Sequence, residues 1–146
     1  MELRTLKSDA YHRLTQHEQV LDKPGRGYGL IYVKIKSIIF AIPLRSNLNH
    51  PYGLKTILDE TLGVWNGVDY SKALIVKEDD LNPEAFKPRR EDEYNKIQKN
   101  EAKIIKNFTK YLEGYISMVM ENQEMKREYK FTTLQYFHAE LGLPTN

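Results

Sequence analysis

Of the four histidines in the chain, His50 keeps the most reactive company. It lies within five residues of Arg45, Ser46, Asn47 and Asn49, in the polar stretch RSNLNHPYG that follows the apolar run IIFAIPL. His12 and His17 are five residues apart on a predicted helix, so they point to different faces and make a poor ligand pair. His138 reads as a boundary residue of a terminal helix. An imidazole can take a proton or give one near neutral pH. Arg26 and Arg45 are permanently charged, planar groups suited to a bidentate grip on phosphate, and Ser46, Asn47 and Tyr70 add neutral hydrogen bonds. Such a set meets the needs of RNA cleavage without a metal. That reaction requires a base for the 2′-OH, an acid for the leaving 5′-oxygen and fixed positive groups for the phosphorane. The plain alternative is a polar loop with its histidine in solvent, and spacing alone leaves both readings open.

These residues need elements to hold them, and the sequence predicts an antiparallel pair first. Tyr28–Ile35 and Ile38–Leu44 are rich in β-branched and aromatic residues and are separated only by Lys36-Ser37, the signature of a tight hairpin. Pro43 places the second strand at an edge or marks the point where its pairing stops. A short strand at Leu3–Leu6 and a helix from Ser8, as N-cap, to about Gln19 precede the hairpin. The loop Asp22–Gly27 joins them. Thr56–Trp65 is ambiguous and leaves room for a further strand, and Asp69–Val76 reads as one strand ending in the acidic turn Glu78-Asp79-Asp80. From about Glu91 to about Met120 apolar residues recur at three- and four-residue steps, interrupted only at Glu101, which predicts one long helix. Its many tyrosines read as a core stripe, and Lys96, Lys99, Lys103, Lys106 and Lys110 as a solvated outer face able to meet phosphates. A last helix, Thr133–Leu141, is capped by Thr132 or Thr133 and stopped by Gly142 and Pro144. The pattern as a whole is α+β, an antiparallel sheet backed by the long helix.

Length and composition bound the rest. A chain of 146 residues with 40% hydrophobic and 29% charged residues suits a single domain, 1–146, with a core of its own. There are no cysteines, which removes disulfides and thiolate metal sites. The first residues mix charges and lack an apolar stretch of signal-peptide type, and the longest apolar run, Ile38–Leu44, is strand-sized. A cytoplasmic protein is expected. Residues 1–56 carry nine Lys/Arg against four acids, whereas the remainder carries 13 against 16. The front part would then be the side that meets a polyanion, with chance clustering on a solvated surface as the plain alternative. No nucleotide-binding glycine loop, zinc-protease or EF-hand pattern occurs, so no metal or other cofactor is expected.

Taken in order, RGYGLIYVKIKSIIFAIPLRS, IIFAIPLRSNLNHPYG and GVDYSKALIV resemble the toxins of type III toxin–antitoxin systems. Arg26–Ser46 is similar to the core hairpin of the ToxN-like branch, with a basic residue before the first strand and a small polar pair after the second. The Pro-Leu-Arg-Ser-Asn…His loop and the Asp-Tyr-Ser-Lys segment are closer to the CptN and TenpN branches, and YKFTTL near the C-terminus adds to the series. The resemblance runs from Arg26 to about Ile116. It implies a compact, strongly twisted β core like that of the MazF and Kid ribonucleases, with helices added. It also implies a metal-independent endoribonuclease that leaves 2′,3′-cyclic phosphate and 5′-OH ends and is inhibited by a small, repeat-encoded pseudoknot RNA in a protein–RNA assembly. Arg26 matches the family's basic residue and Arg45-Ser46 its Thr-Ser pair. The ToxN branch has a lysine soon after that pair, where this chain has Asn47, Asn49 and His50, so the assignment of acid and base stays open. The expected roles are Arg26 and Arg45 on the phosphate, Ser46 on its oxygens and His50 in proton transfer. Asn47, Lys55, Tyr70, Ser71 and Lys72 are expected along the RNA path. Two other readings compete: a non-catalytic RNA-binding regulator on the same core, and a structural subunit that oligomerises through its Tyr-rich helix.

Overall fold

The computed structural model describes residues 1–21, 29–88 and 90–145. Its six strands are β1 (Leu3–Arg4), β2 (Leu30–Ile35), β3 (Ile38–Arg45), β4 (Gly53–Asp59), β5 (Val64–Asp69) and β6 (Leu74–Val76). Its three helices are α1 (Ser8–Leu14), α2 (Glu91–Lys99) and α3 (Glu101–Met120). All strand pairings are antiparallel, in the order β1-β2-β3-β5-β4 with β6 also on β3. The class is α+β.

The hairpin forms where the sequence puts it. Lys36 and Ser37 both take positive φ, 48° and 71°, the two-residue turn whose twist suits the strands it joins. β3 is not an edge. It pairs with β2 along one side, and along the other with β6 at Ile39–Ala41 and with β5 at Leu44–Arg45. Pro43 falls in the gap between those two partners, where no ladder hydrogen bond is owed. Alternation along this central strand sorts the core into two layers. Phe40, Ile42 and Leu44 pack with Ile104, Phe108, Tyr111 and Tyr115 of α3, whereas Ala41 faces Leu14, Leu74, Leu81 and Phe137. Each buried Leu, Ile or Phe side chain among them contributes about 1.5–3 kcal/mol.

Five expectations are revised. α1 stops at Leu14, and its N-cap is Lys7, without a side-chain cap bond, rather than Ser8. Thr56–Trp65 belongs to two strands, joined by a turn in which Asp59 accepts from the N–H of Thr61 and Leu62 and Gly63 takes φ +67°. Asp69–Val76 is not one strand, because a 3-10 turn at Tyr70–Lys72 parts β5 from β6. The long helix is two, broken at Asn100, which lets α2 pack on β4 with Thr56 Oγ1 donating to the buried Glu93 carboxylate. The terminal helix is a single 3-10 turn, Thr133–Tyr136, capped by Thr132 as expected. Among the described residues no helix is long and apolar enough to cross a membrane.

Candidate functional site

The register Leu44↔Val68 and Arg45↔Gly67 brings the ends of β3 and β5 together, so Arg45 meets Asp69. Asp69 is fully buried and its carboxylate takes four donors. Oδ2 accepts from Arg45 Nη1 at 2.8 Å and from His50 Nε2 at 3.2 Å. Oδ1 accepts from the Ser71 backbone N–H at 3.0 Å and the Ser71 hydroxyl at 2.6 Å. One carboxylate thus ties the end of β3, the following loop and the 3-10 turn to a single point. The loop is itself pinned: Leu48 is buried, its N–H donates to the Trp65 carbonyl at 2.7 Å, and the Tyr70 N–H donates to the Tyr52 carbonyl at 3.0 Å.

The His50 ring is held from both sides. Nδ1 accepts from the Tyr52 N–H at 3.1 Å, which leaves Nε2 as the protonated nitrogen facing Asp69. The Tyr52 ring stacks on the imidazole with centroids 5.3 Å apart. Proton exchange with a substrate therefore requires one of the two ring contacts to open.

Above Asp69 lies an open cleft of about 850 Å³. It is lined by Arg45, His50, Ser71 and Lys72 together with a C-terminal segment that contributes Met125, Arg127, Glu128, Lys130 and Phe131. Four cations thus line one cleft, with Glu128 and the buried Asp69 as their counter-charges. Arg45 spends one terminal nitrogen on Asp69 and stays 30% exposed, so its guanidinium is both oriented and open to a ligand. Lys72 is only 9% exposed; its ammonium donates to Gln19 Oε1 at 3.0 Å and to the Phe131 carbonyl at 2.9 Å. Burial lowers the Lys72 pKa, Asp69 works against that shift and Arg45 adds to it. Two of the ammonium's three donors are spent, which leaves one for an anion in the cleft.

The expected site residues divide accordingly. Arg45, His50, Ser71 and Lys72 converge. Ser46 and Asn47 are exposed on the turn after β3, Asn47 with φ +57°, and neither lines the cleft. Lys55 is exposed on β4, away from it. Tyr70 faces a neighbouring groove lined also by Lys106, Asn107, Lys110 and Lys126. Its hydroxyl is buried without a well-formed hydrogen bond, and burial pushes its pKa up to about 12, opposed by Asn107 beside it. Arg26 lies outside the described residues. Three contributors escaped the sequence reading: Asp69 as the hub, Tyr52 as the clamp on His50, and the Met125–Phe131 wall. Asp two residues before Ser is a turn-forming pair, and that spacing was the available signal for Asp69. The charge expectation is also revised. Arg127 and Lys130 come from the part of the chain with excess acid, while Arg4 and Arg13 in the basic part are paired with Glu2, Glu78 and Asp80.

Among the described residues no group of three or more His, Asp or Glu side chains is placed to hold a metal ion. No protein-family model and no curated protein sequence matches the chain. In fold it is similar to a solved structure described as "A processed non-coding RNA regulates a bacterial antiviral system". The TM-score is 0.63 at 13% sequence identity, covering 94% of this chain and 98% of that one. At that identity the likeness is one of fold, and it spans almost the whole of both chains.

Proposed function

We propose that this protein is the toxin of a type III toxin–antitoxin system, a cytoplasmic endoribonuclease that needs no metal and is restrained by a small pseudoknot RNA. The observation that carries the reading is the convergence of Arg45, His50, Ser71 and Lys72 around buried Asp69, at the floor of a cleft with four cations. The fold likeness supports it, since the similar structure is described by a processed non-coding RNA and a bacterial antiviral system. On this reading the sheet is the MazF/Kid-like ribonuclease core.

In the proposed reaction the 2′-oxygen of the RNA attacks the adjacent phosphorus and the bond from phosphorus to the 5′-oxygen breaks. The 2′-OH proton goes to a base and the leaving oxygen takes a proton from an acid, which gives cyclic phosphate and 5′-OH ends. Arg45 and the remaining Lys72 donor hold the non-bridging oxygens as charge builds on them. Arg26 keeps its expected phosphate role, whereas Ser46, exposed outside the cleft, is left without one. His50 exchanges its proton by releasing Tyr52 N–H or Asp69, with Lys72 as the second candidate.

Incubation of the purified protein with a long RNA in EDTA, followed by end-group analysis, tests this. The expected products carry 2′,3′-cyclic phosphate and 5′-OH, and activity that appears only when Mg²⁺ is restored would overturn the mechanism. One observation favours a non-catalytic RNA-binding regulator instead, namely that both His50 ring nitrogens are engaged. In that case the same incubation yields a bound but intact RNA.

A further inference from the structure

Phe131 presents an exposed aromatic ring on a firmly held stretch of backbone. It is 57% exposed, yet the residues around it are fixed: Tyr129 is 5% exposed, and Thr132 and Thr133 are fully buried. The bracket is hydrogen-bonded at several points. Tyr129 donates its hydroxyl to the Tyr111 carbonyl at 2.9 Å, and the Tyr111 hydroxyl donates to the Glu128 carbonyl at 3.0 Å. Thr132 donates to the Ser71 carbonyl at 3.3 Å, and the Thr133 hydroxyl donates to the Ala73 carbonyl beside it. The Phe131 carbonyl itself receives Lys72. The segment is therefore docked on the turn that carries Ser71 and Lys72, and the ring projects from a rigid base. Met125 is 56% exposed on the same wall, and Arg127 and Lys130 flank both, the Lys130 ammonium lying 5.4 Å from the Phe131 ring centroid.

An apolar ring among cations, on an open cleft that Arg45 and Lys72 also line, suits one ligand chemistry. Single-stranded nucleic acid offers phosphates to the cations and flat unpaired bases to the ring. A folded protein surface would leave the four cations to be matched one by one. We propose that the Met125–Phe131 wall is a base-stacking subsite, in which Phe131 takes one unpaired nucleobase beside the phosphate held by Arg45 and Lys72. The proposal rests on the reading of the cleft as an RNA site and adds to it the residue that selects single-stranded over paired RNA.

The test uses the full chain and short RNA oligonucleotides. Phe131→Ala is expected to weaken binding of an unstructured oligonucleotide by about 5- to 150-fold, with an unchanged slope against salt, because no charge is removed. Phe131→Tyr and Phe131→Trp should restore affinity, and Phe131→Leu only part of it, because the π-face is lost. In a Trp65→Phe background, the fluorescence of Phe131→Trp should be quenched by the oligonucleotide. An oligonucleotide with a single abasic position at the stacking register should bind wild type and Phe131→Ala alike. Suppose instead that Phe131→Ala binds every oligonucleotide as wild type does while Arg45→Ala loses affinity. The subsite then falls and the RNA reading stands. If wild type binds no RNA at all, both fall. Altered self-association with RNA affinity intact assigns the wall to a second copy of the chain and overturns the proposal.

Discussion

At the scale of single residues, the site depends on groups whose ordinary behaviour is changed by burial. Lys72 is the clearest. Burial lowers its pKa, so the fold binds fewer protons there than the unfolded chain between the lowered value and the ordinary one of about 10.4. Stability from this group consequently rises with pH across that window, and the cost of the buried cation is borne in full below it. The effect on RNA binding has the opposite sign. A phosphate needs the protonated ammonium, so affinity is expected to decline on the alkaline side at a lower pH than a surface lysine would give. Lys72→Arg should remove that alkaline limb, because guanidinium stays charged. Binding titrations across pH for both proteins check this, and coincident profiles would count against Lys72 as a phosphate ligand. Tyr70 gives a second expectation at this scale. Its hydroxyl is buried without a well-formed partner, so Tyr70→Phe should leave the melting temperature unchanged or raise stability by about 1 kcal/mol. If the hydroxyl serves RNA from the neighbouring groove, the same variant loses RNA affinity without losing stability. Equal affinity and equal stability would remove Tyr70 from the RNA path.

At the scale of elements, what was legible followed regular periodicity, and what was not followed local interruptions. The hairpin could be read because β-branched residues run up to a two-residue polar break on both sides. The apparent strand Asp69–Val76 misled because its apolar residues continue past a turn set by one side chain, Asp69 accepting from the Ser71 N–H. The helix from Glu91 misled because Ile97 and Ile104 both face the core across the break at Asn100, so the stripe does not register it. Of the site, the β3 end and the loop that follows it were visible as a polar stretch after an apolar one. The Met125–Phe131 wall was not, since nothing local in YKF says that Lys72 holds its backbone from far along the chain. Gly114 links the elements behind that wall. A Cβ there would come within 2.2 Å of the Tyr129 hydroxyl, the group that fastens the wall to α3 through the Tyr111 carbonyl. Gly114→Ala should therefore lower stability by about 1–3 kcal/mol and weaken RNA binding beyond what partial unfolding accounts for. Denaturant melts and affinity measured at a temperature where the variant is fully folded separate the two. A stable variant with normal affinity would show that α3 does not position the cleft.

For the whole molecule, the question is which charges make the field that RNA meets. Formal charge places the excess of bases in residues 1–56, but folding redistributes it. Arg4 is buried between Glu2 and Glu78, and Arg13 pairs with Asp80. The cleft collects Arg45, Lys72, Arg127 and Lys130 from distant parts of the chain. If those four each neutralise one phosphate of a single strand, log affinity should fall against log salt with a slope of about −3. Raising salt from about 50 to 200 mM then weakens binding by about 50-fold. Neutralising Arg127 and Lys130 together, as Arg127→Gln and Lys130→Gln, should reduce the slope by about 1.4, since each contact releases about 0.7 of a counterion. Arg13→Gln should not change it, because that charge sits outside the cleft and is already paired. Oligonucleotide titrations at four salt concentrations measure all three slopes. A slope that changes as much for Arg13→Gln as for the double variant would mean that RNA follows the diffuse field of the basic part of the chain. The cleft would then lose its claim to be the place where the backbone is held, and the assignments of Arg45 and Lys72 would have to be reopened with it.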